Sequence, residues 1–172
     1  MLVSSKNYDK AVEVAANTAN AMKVGDPFDP DTKMGPISNK TQYEKVQRMI
    51  QIGIDEGATL SAGGVGLPEG CESGYYVKPT IFSDVTNDMT IAREEIFGPV
   101  LCLIKYETEE EAIEIANDTP YGLAGYIQGE HAHAVEVASK IRAGQITINK
   151  GARVRSAPFG GYGSSGNGRE HG

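Results

Sequence analysis

The second half of the sequence alternates short apolar runs with amphipathic segments, and this alternation restricts the possible folds more than any other feature. The apolar runs and the amphipathic segments alternate in the order Val100–Tyr106, Thr108–Asn117, Leu123–Gln128, His131–Ile141 and Gln145–Asn149. Short apolar runs are typical of buried strands, and strands separated by single helices pair in parallel through βαβ crossovers. The sequence therefore predicts an α/β fold with a mainly parallel sheet and flanking helices.

The first half predicts two longer helices, each with an apolar stripe at helical spacing, and shorter extended segments. The predicted elements are helices over Tyr8–Met22 and Asn39–Glu56, extended segments over Ala58–Ala62 and Tyr75–Val85, and a helical turn over Thr90–Glu95. The second helix has two candidate N-caps: Ser38, or alternatively Thr41 in a capping box with Glu44. A further capping box, Thr108 with Glu111, predicts the start of the helix that follows the first strong apolar run.

Composition narrows the function classes. A chain of 172 residues suits one domain, so we predict a single domain over residues 1–172. The net charge of −7 argues against a nucleic-acid partner, since no basic stripe is available to neutralise phosphates. No apolar run approaches the roughly 20 residues that span a bilayer. Cys71 and Cys102 lack metal-ligand spacing, so we expect no metal site, no disulfide framework and a cytoplasmic location.

One segment whose residues could bind a ligand lies just before the strongest apolar run. Glu94–Pro99 places two acids beside an aromatic residue and a glycine. A carboxylate can accept hydrogen bonds from ribose hydroxyls, and a flat ring can pack on nicotinamide. The segment could therefore hold a nucleotide cofactor. The alternative is that these acids are solvated or cap a helix, as acids before an apolar strand usually do.

A second such segment is the glycine-rich tail. Seven of the 21 glycines fall between Gly151 and Gly172, which predicts a shaped loop. Arg153 and Arg155 precede the glycine motif, and a guanidinium can bind a carboxylate bidentately. A ligand with an anionic end would then be accommodated. Alternatively, these arginines point to solvent or pair with the acids that the chain has in excess.

Taken together and in this order, the two segments resemble the aldehyde dehydrogenase superfamily. The residues that carry the resemblance are Arg93–Val100, Pro158–Glu170 and the landmarks Gly25-Asp26-Pro27 and Met34-Gly35-Pro36. The resemblance implies NAD(P)-dependent oxidation of an aldehyde to a carboxylic acid. It implies that Glu95 binds the nicotinamide ribose and that Phe97 flanks the ring. It also implies that Phe159 contacts the aldehyde, and it places Arg153 in the segment that lines the aldehyde entrance.

The resemblance covers the later part of the family's catalytic domain. In the family a cysteine thiolate attacks the aldehyde, a hydride passes to NAD or NADP, and water hydrolyses the thioester with help from a glutamate. The matching cysteine and glutamate are expected upstream of Met1, and a final strand that joins subunits is expected beyond Gly172. No residue of this chain is therefore predicted to be catalytic, and the isolated chain is expected to be inactive.

The last predicted strand could also pair with another copy of the chain. Gln145–Asn149 alternates Ile146 and Ile148 with polar residues, and an unpaired strand edge invites another chain, which predicts a homo-oligomer formed through the sheet edge. The alternatives to a dehydrogenase are a non-catalytic interaction module that binds through such edges, or a truncated gene product without a role.

Overall fold

The computed structural model describes residues 1–152 and 156–171 and confirms the α/β fold. It divides into two compact units, Met1–Glu107 and Thr108–Gly172. That the whole chain forms a single domain stays a prediction. Among the described residues, three of the four strand pairs are parallel, as predicted, but the strands are distributed over three small sheets instead of one.

The first unit contains five strands and three α-helices, besides a 3₁₀ turn at Ser5–Asn7. They are β1 (Leu2–Ser4), α1 (Tyr8–Asn20), α2 (Lys40–Asp55), β2 (Thr59–Ala62), β3 (Thr80–Ser83), α3 (Thr90–Arg93), β4 (Val100–Cys102) and β5 (Ile104–Tyr106). β3 is central in a sheet of order β2-β3-β4, with an antiparallel β2 and a parallel β4. β1 and β5 form a separate parallel pair.

The core of this unit lies on both faces of β3. All four residues of the strand are buried, and successive side chains point to opposite faces. Phe82 packs into a cluster with Val46 and Ile50 of α2, whereas Ile81 packs into a second cluster with Tyr8 of α1. The apolar stripes predicted for both helices are therefore the faces that cover this strand.

The apolar run Val100–Tyr106 forms two strands instead of the single one predicted. The interruption is at Leu103, which is fully buried. Its N–H donates to the carbonyl oxygen of Phe82 at 2.8 Å, and its carbonyl oxygen accepts from the hydroxyl of Tyr8 at 3.1 Å. On one side of this residue the chain pairs with β3, and on the other side it pairs with β1. One extended run therefore serves two sheets.

The predicted N-caps of α2 are wrong, and the predicted cap of the next long helix is right. The helix begins after Asn39, whose side-chain oxygen accepts from the N–H of Gln42 at 2.9 Å. Neither Ser38 nor Thr41 holds this position, because Asn39 has the extended backbone of an N-cap and its side chain reaches the first turn. In the second unit, the hydroxyl of Thr108 accepts from the N–H of Glu111 at 3.2 Å.

The second unit is built around one parallel strand pair. Its elements are α4 (Glu109–Asn117), β6 (Ala124–Ile127), α5 (His131–Ala138), β7 (Gln145–Ile148) and a 3₁₀ turn at Gly163–Ser165. β6, α5 and β7 form the predicted βαβ crossover, with β6 and β7 parallel. Within the described ranges, no helix is both long enough and apolar enough to cross a membrane.

Candidate functional site

The Glu94–Gly98 loop, between α3 and β4, presents two of the predicted site residues outward. Ile96 is buried at 7% exposure and belongs to the core cluster beneath β3, while its neighbours Glu95 and Phe97 are exposed. An apolar residue between two exposed ones fixes the loop to the core through its middle. The carboxylate of Glu95 and the ring of Phe97 thus remain available to a ligand on the same short segment.

Phe97 has an unusual backbone conformation. Its φ is 59°, in the left-handed region that bulky residues rarely adopt, and its side chain is 71% exposed. Such a conformation costs on the order of 1–3 kcal/mol and persists only where the surroundings impose it. An exposed aromatic ring held in a strained conformation is typical of a ligand-binding position.

Helix α2 imposes this conformation through the backbone of the loop. Nε2 of Gln42 donates to the carbonyl oxygens of Ile96 at 3.1 Å and Phe97 at 2.7 Å. Nζ of Lys45 donates to the carbonyl oxygen of Glu95 at 2.6 Å. Three successive carbonyl groups are therefore bound by two side chains one helical turn apart, and these bonds involve neither the carboxylate of Glu95 nor the ring of Phe97.

Gly98 closes the loop against the same helix. A Cβ atom at this position would lie only 2.5 Å from Cγ2 of Val46, so a larger residue would push the loop away from α2. The glycine of the Ile-Phe-Gly-Pro motif thus permits a close approach of backbone to helix.

A concave pocket of 390 Å³ lies beside the loop and is lined in part by Glu95, Phe97 and Cys102. This volume is within the range of small-molecule sites. Burial raises the pKa of the Cys102 thiol to about 11, and the nearby amino terminus only partly opposes this shift. A thiol with this pKa is protonated near neutral pH, so Cys102 lacks the reactivity of a nucleophile.

Two other features of the first unit do not form a comparable site. A larger, open cavity of 620 Å³ is lined by Asn17, Met22 and Lys33 among others, and it contains none of the predicted residues. The glycine-rich Gly63–Gly66 segment uses its N–H groups internally: those of Gly64 and Gly66 donate to side chains at 3.1 and 2.7 Å. These two N–H groups are therefore not free to bind a phosphate.

In the second unit, Phe159 begins a closed loop. Its N–H donates to the carbonyl oxygen of Glu170 at 2.7 Å, and the N–H of Glu170 donates back at 2.8 Å. Nη1 of Arg169 donates to the carbonyl oxygens of Gly161 at 2.8 Å and Gly168 at 2.9 Å, and its guanidinium lies 5.0 Å from the ring centre of Tyr162. The half-buried Phe159 thus lies at the base of a loop that Arg169, itself part of the loop, bonds internally through backbone carbonyl groups.

The glycines of this tail allow it to pack closely. The N–H of Tyr162 donates to the carbonyl oxygen of Gly122 at 3.1 Å, and the hydroxyl of Ser165 accepts from the N–H of Gly122. A Cβ at Gly144 would overlap the carbonyl group of Gly160 and lie 2.8 Å from its carbon atom. Arg153 and Arg155 lie outside the described residues, so the sequence prediction for them stays a prediction.

Comparison with known protein families identifies the family of this chain. The sequence profile of the aldehyde dehydrogenase family matches residues 1–172, the whole of the chain. The chain belongs to the aldehyde dehydrogenase family.

Two curated relatives of this chain are identical to it at about half of its positions. It is 51% identical over its full length to 3-succinoylsemialdehyde-pyridine dehydrogenase of a Pseudomonas species, and 49% identical to a putative aldehyde dehydrogenase of Staphylococcus aureus. The chain spans 36% of the length of each of these relatives.

Solved aldehyde dehydrogenases have the same fold over this region. A mutant of aldehyde dehydrogenase C from Pseudomonas syringae, complexed with NAD⁺ and octanal, matches with a TM-score of 0.97 and 52% identity over all of this chain and 36% of its own. The aldehyde dehydrogenase of Mycobacterium tuberculosis, complexed with NAD⁺, matches with a TM-score of 0.95 and 46% identity over 99% of this chain and 35% of its own. These matches confirm the family predicted from the two sequence motifs.

Three residues of this aldehyde dehydrogenase region were missed by sequence reasoning. Gln42 and Lys45 bind the Glu94–Gly98 loop, and Arg169 binds the tail loop. Gln42 and Lys45 lie on α2 beside its apolar stripe, which is a weak signal for a helix face with a partner. Their partners are backbone groups about fifty residues away, and no side-chain pattern in the sequence identifies such a partner.

Proposed function

We propose that the full-length protein that contains this chain oxidises an aldehyde to a carboxylic acid with NAD as the hydride acceptor. The observation that carries the proposal is the strained, exposed Phe97 beside Glu95 on a loop held by α2. Family membership and two structural neighbours complexed with NAD⁺ support NAD; NADP is the alternative that the assay below distinguishes.

The residues of the loop fit a nicotinamide riboside. Glu95 offers a carboxylate that accepts hydrogen bonds from two adjacent ribose hydroxyls, and Phe97 offers a flat apolar surface for the ring. Both flank the pocket of 390 Å³. When bound, the cofactor supplies a hydride acceptor. The task of the loop is to hold the acceptor carbon in one place, because hydride transfer depends steeply on the distance and angle between the reacting atoms.

On the aldehyde side we assign Phe159 to substrate contact and Arg153 to the entrance, with an anionic substrate group as the partner of the arginine. Phe159 is supported by the closed loop that fixes its backbone. We also assign the protein to the cytoplasm, which the two unpaired thiols support, since a reducing compartment keeps cysteines in this state.

The test is an assay of the purified full-length protein. It is mixed with NAD or with NADP and with octanal or a semialdehyde that carries a carboxylate, and the absorbance of the reduced nicotinamide is followed. Reduction of NAD that depends on aldehyde is expected, with production of the corresponding acid. Absence of turnover with every aldehyde and both cofactors would refute the proposal. Faster turnover of the charged semialdehyde would support the role of Arg153.

A polypeptide made only of residues 1–172 is expected to oxidise no aldehyde. Covalent oxidation needs a thiolate next to the cofactor. The Cys102 thiol is protonated because of its raised pKa, and Cys71 lies in the loop between β2 and β3, away in sequence from the motif segments. The same absorbance assay checks this expectation. Turnover that is lost in Cys102→Ser or Cys71→Ser would contradict it.

We further propose that this polypeptide self-associates through the outer edge of β7. In the part of the chain that the structure describes, β7 pairs with β6 alone. The N–H groups of Gln145 and Asn149 donate to the β6 side, so by alternation the N–H groups of Ile146 and Ile148 face outward. The net charge of −7 opposes association only over about 8–10 Å in ordinary salt. Sedimentation is expected to show dimers or larger species that increase with concentration.

Proline substitution distinguishes the outer edge from the inner one. Ile146→Pro removes an outward N–H and is expected to reduce association, whereas Thr147→Pro removes an N–H that faces β6 and is expected to weaken the strand pair itself. Circular dichroism monitors folding of both variants, and Ile146→Lys replaces Ile146→Pro if the latter unfolds. If the polypeptide of residues 1–172 sediments as a monomer at high concentration and physiological salt, association through this edge is excluded.

A further inference from the structure

The carboxylate of Glu56, at the end of α2, bonds the first residue of α3 twice. Its Oε2 accepts from the N–H of Thr90 at 2.8 Å, and its Oε1 accepts from the hydroxyl of Thr90 at 2.5 Å. Both oxygens of one carboxylate are therefore engaged by a residue that lies 34 positions later in the sequence. A paired contact of this kind fixes the orientation of the two partners as well as their separation.

Glu56 supplies a cap that α3 does not supply for itself. The N–H groups in the first turn of a helix have no partner within the helix, and a polar side chain at the N-cap usually accepts from one of them. The N-cap of α3 is Met89, whose side chain makes no such bond. A helix of four residues is not stable alone, so the start of α3 depends on the contact from α2.

Apolar packing places α3 against the same end of α2. Ile91 is buried, and a Cβ atom at Gly53 would lie only 2.9 Å from its Cδ1. The glycine thus lets the backbone of α2 approach Ile91 closely. An apolar contact and a paired polar contact, one helical turn apart on α2, therefore hold α3 together.

The residue that Glu56 bonds is connected to the Glu94–Gly98 loop. The carbonyl oxygen of Thr90 accepts from the N–H of Glu94, the first residue of that loop, at 2.9 Å. The opposite end of α2 holds the middle of the loop through Gln42 and Lys45. Gln42 and Glu56 are about 20 Å apart along the helix axis. Two attachments this far apart on one rigid helix fix the direction of the segment between them, whereas either one alone would let it pivot.

We infer that Glu56 is a positioning residue for the nicotinamide site: by holding the start of α3, it fixes the Glu94–Gly98 loop from its amino-terminal side. The inference rests on the proposed function for the identity of the cofactor. In this role Glu56 acts through Thr90 and α3 on the loop that carries Glu95 and Phe97. Loss of its bonds should therefore slow hydride transfer and leave the affinity for aldehyde unchanged.

Variants of the full-length protein remove the contact from either side. Glu56→Gln keeps the length of the side chain but offers one acceptor oxygen to two donors. Thr90→Val keeps the shape of the side chain and removes the hydroxyl, whereas Thr90→Ser keeps the hydroxyl and is the conservative control. Asp55→Asn removes the same charge from the adjacent residue, whose carboxylate accepts from Gln51 of the same helix.

Glu56→Gln and Thr90→Val are each expected to slow hydride transfer roughly five- to tenfold, because small displacements of positioned groups cost rate steeply. Single-turnover kinetics with premixed protein and NAD, at several concentrations of octanal, measures this rate and the affinity for octanal. Thr90→Ser and Asp55→Asn should stay within about twofold of the unmodified protein. The double variant Glu56→Gln with Thr90→Val should be slowed by less than the product of the two single effects, because both substitutions weaken one contact.

Hydrogen–deuterium exchange supplies a readout without turnover. In Glu56→Gln, uptake should rise in peptides covering residues 89–98 and stay unchanged in peptides covering residues 40–52 and 159–170. If Glu56→Gln does not fold, Thr90→Val with its serine control carries the comparison.

Unchanged hydride transfer in both Glu56→Gln and Thr90→Val would overturn the inference, and so would equal losses in Thr90→Val and Thr90→Ser. Slower transfer accompanied by increased uptake throughout the protein would also overturn it, because this would indicate a general structural role. If the unmodified protein reduces no NAD with any aldehyde, the proposed function fails, and the exchange measurement still decides whether Glu56 holds the loop.

Discussion

Replacing Glu95 by glutamine in the full-length protein is expected to slow hydride transfer by roughly 100-fold while the affinity for aldehyde changes little. The amide keeps the size of the side chain, but it removes the charge and half of the acceptor capacity. Since α2 holds the loop through backbone carbonyl groups, the loop should stay in place and only the grip on the ribose should weaken. A mobile nicotinamide ring spends less time in the geometry that hydride transfer requires.

Single-turnover kinetics with premixed protein and NAD measures this step directly. Glu94→Gln is the matched control, since it removes the same charge from the adjacent residue. A difference between the two variants would assign the effect to Glu95 rather than to the local charge. An unchanged rate of hydride transfer in Glu95→Gln would remove this residue from the cofactor site and leave it a solvated acid.

Gly144→Ala is expected to destabilise the second unit by on the order of 3 kcal/mol or to prevent its folding. The added methyl group would overlap the carbonyl group of Gly160, and the clash is between two backbones, which have no rotamer to change. The N–H of Gly144 also donates to the carbonyl oxygen of Gly122 at 3.0 Å, so movement of the backbone would break this bond.

Gly168→Ala is the matched control, because a Cβ at this position would meet no atom within 4 Å. Soluble yield and the thermal midpoint of unfolding of the two variants decide the outcome. Gly144→Ala should lower both, and Gly168→Ala should leave both close to the unmodified protein. Equal behaviour of the two variants would show that the tail can move away from Gly144 at little cost.

The sequence predicted the features that depend on local pattern. The stripes of α1 and α2, the βαβ unit of β6, α5 and β7, and the family follow from periodicity and motif order. It did not predict the features that depend on partners distant in the chain. Leu103 interrupts an apolar run because its backbone is hydrogen-bonded to Phe82 and Tyr8. The hydrophobic periodicity of the run does not indicate these distant partners.

The site shows the same division. Glu95 and Phe97 were predicted from the motif, but the left-handed backbone of Phe97 and its support by Gln42 were not. The turn at Asn149 was missed for a related reason. The strand was predicted to include this residue, whereas the structure ends β7 at Ile148 and uses the amide of Asn149 to bond Gly129.

Helix α2 holds the Glu94–Gly98 loop by its backbone and leaves the side chains of Glu95 and Phe97 out of these bonds. Gln42 and Lys45 bind carbonyl groups, which every amino acid possesses, so the support is indifferent to the side chains at positions 95 and 97. Natural selection can therefore act on those two side chains one substitution at a time without rebuilding the scaffold. Positions 42 and 45 lack this freedom, because a change there would remove hydrogen bonds that hold the backbone of the loop.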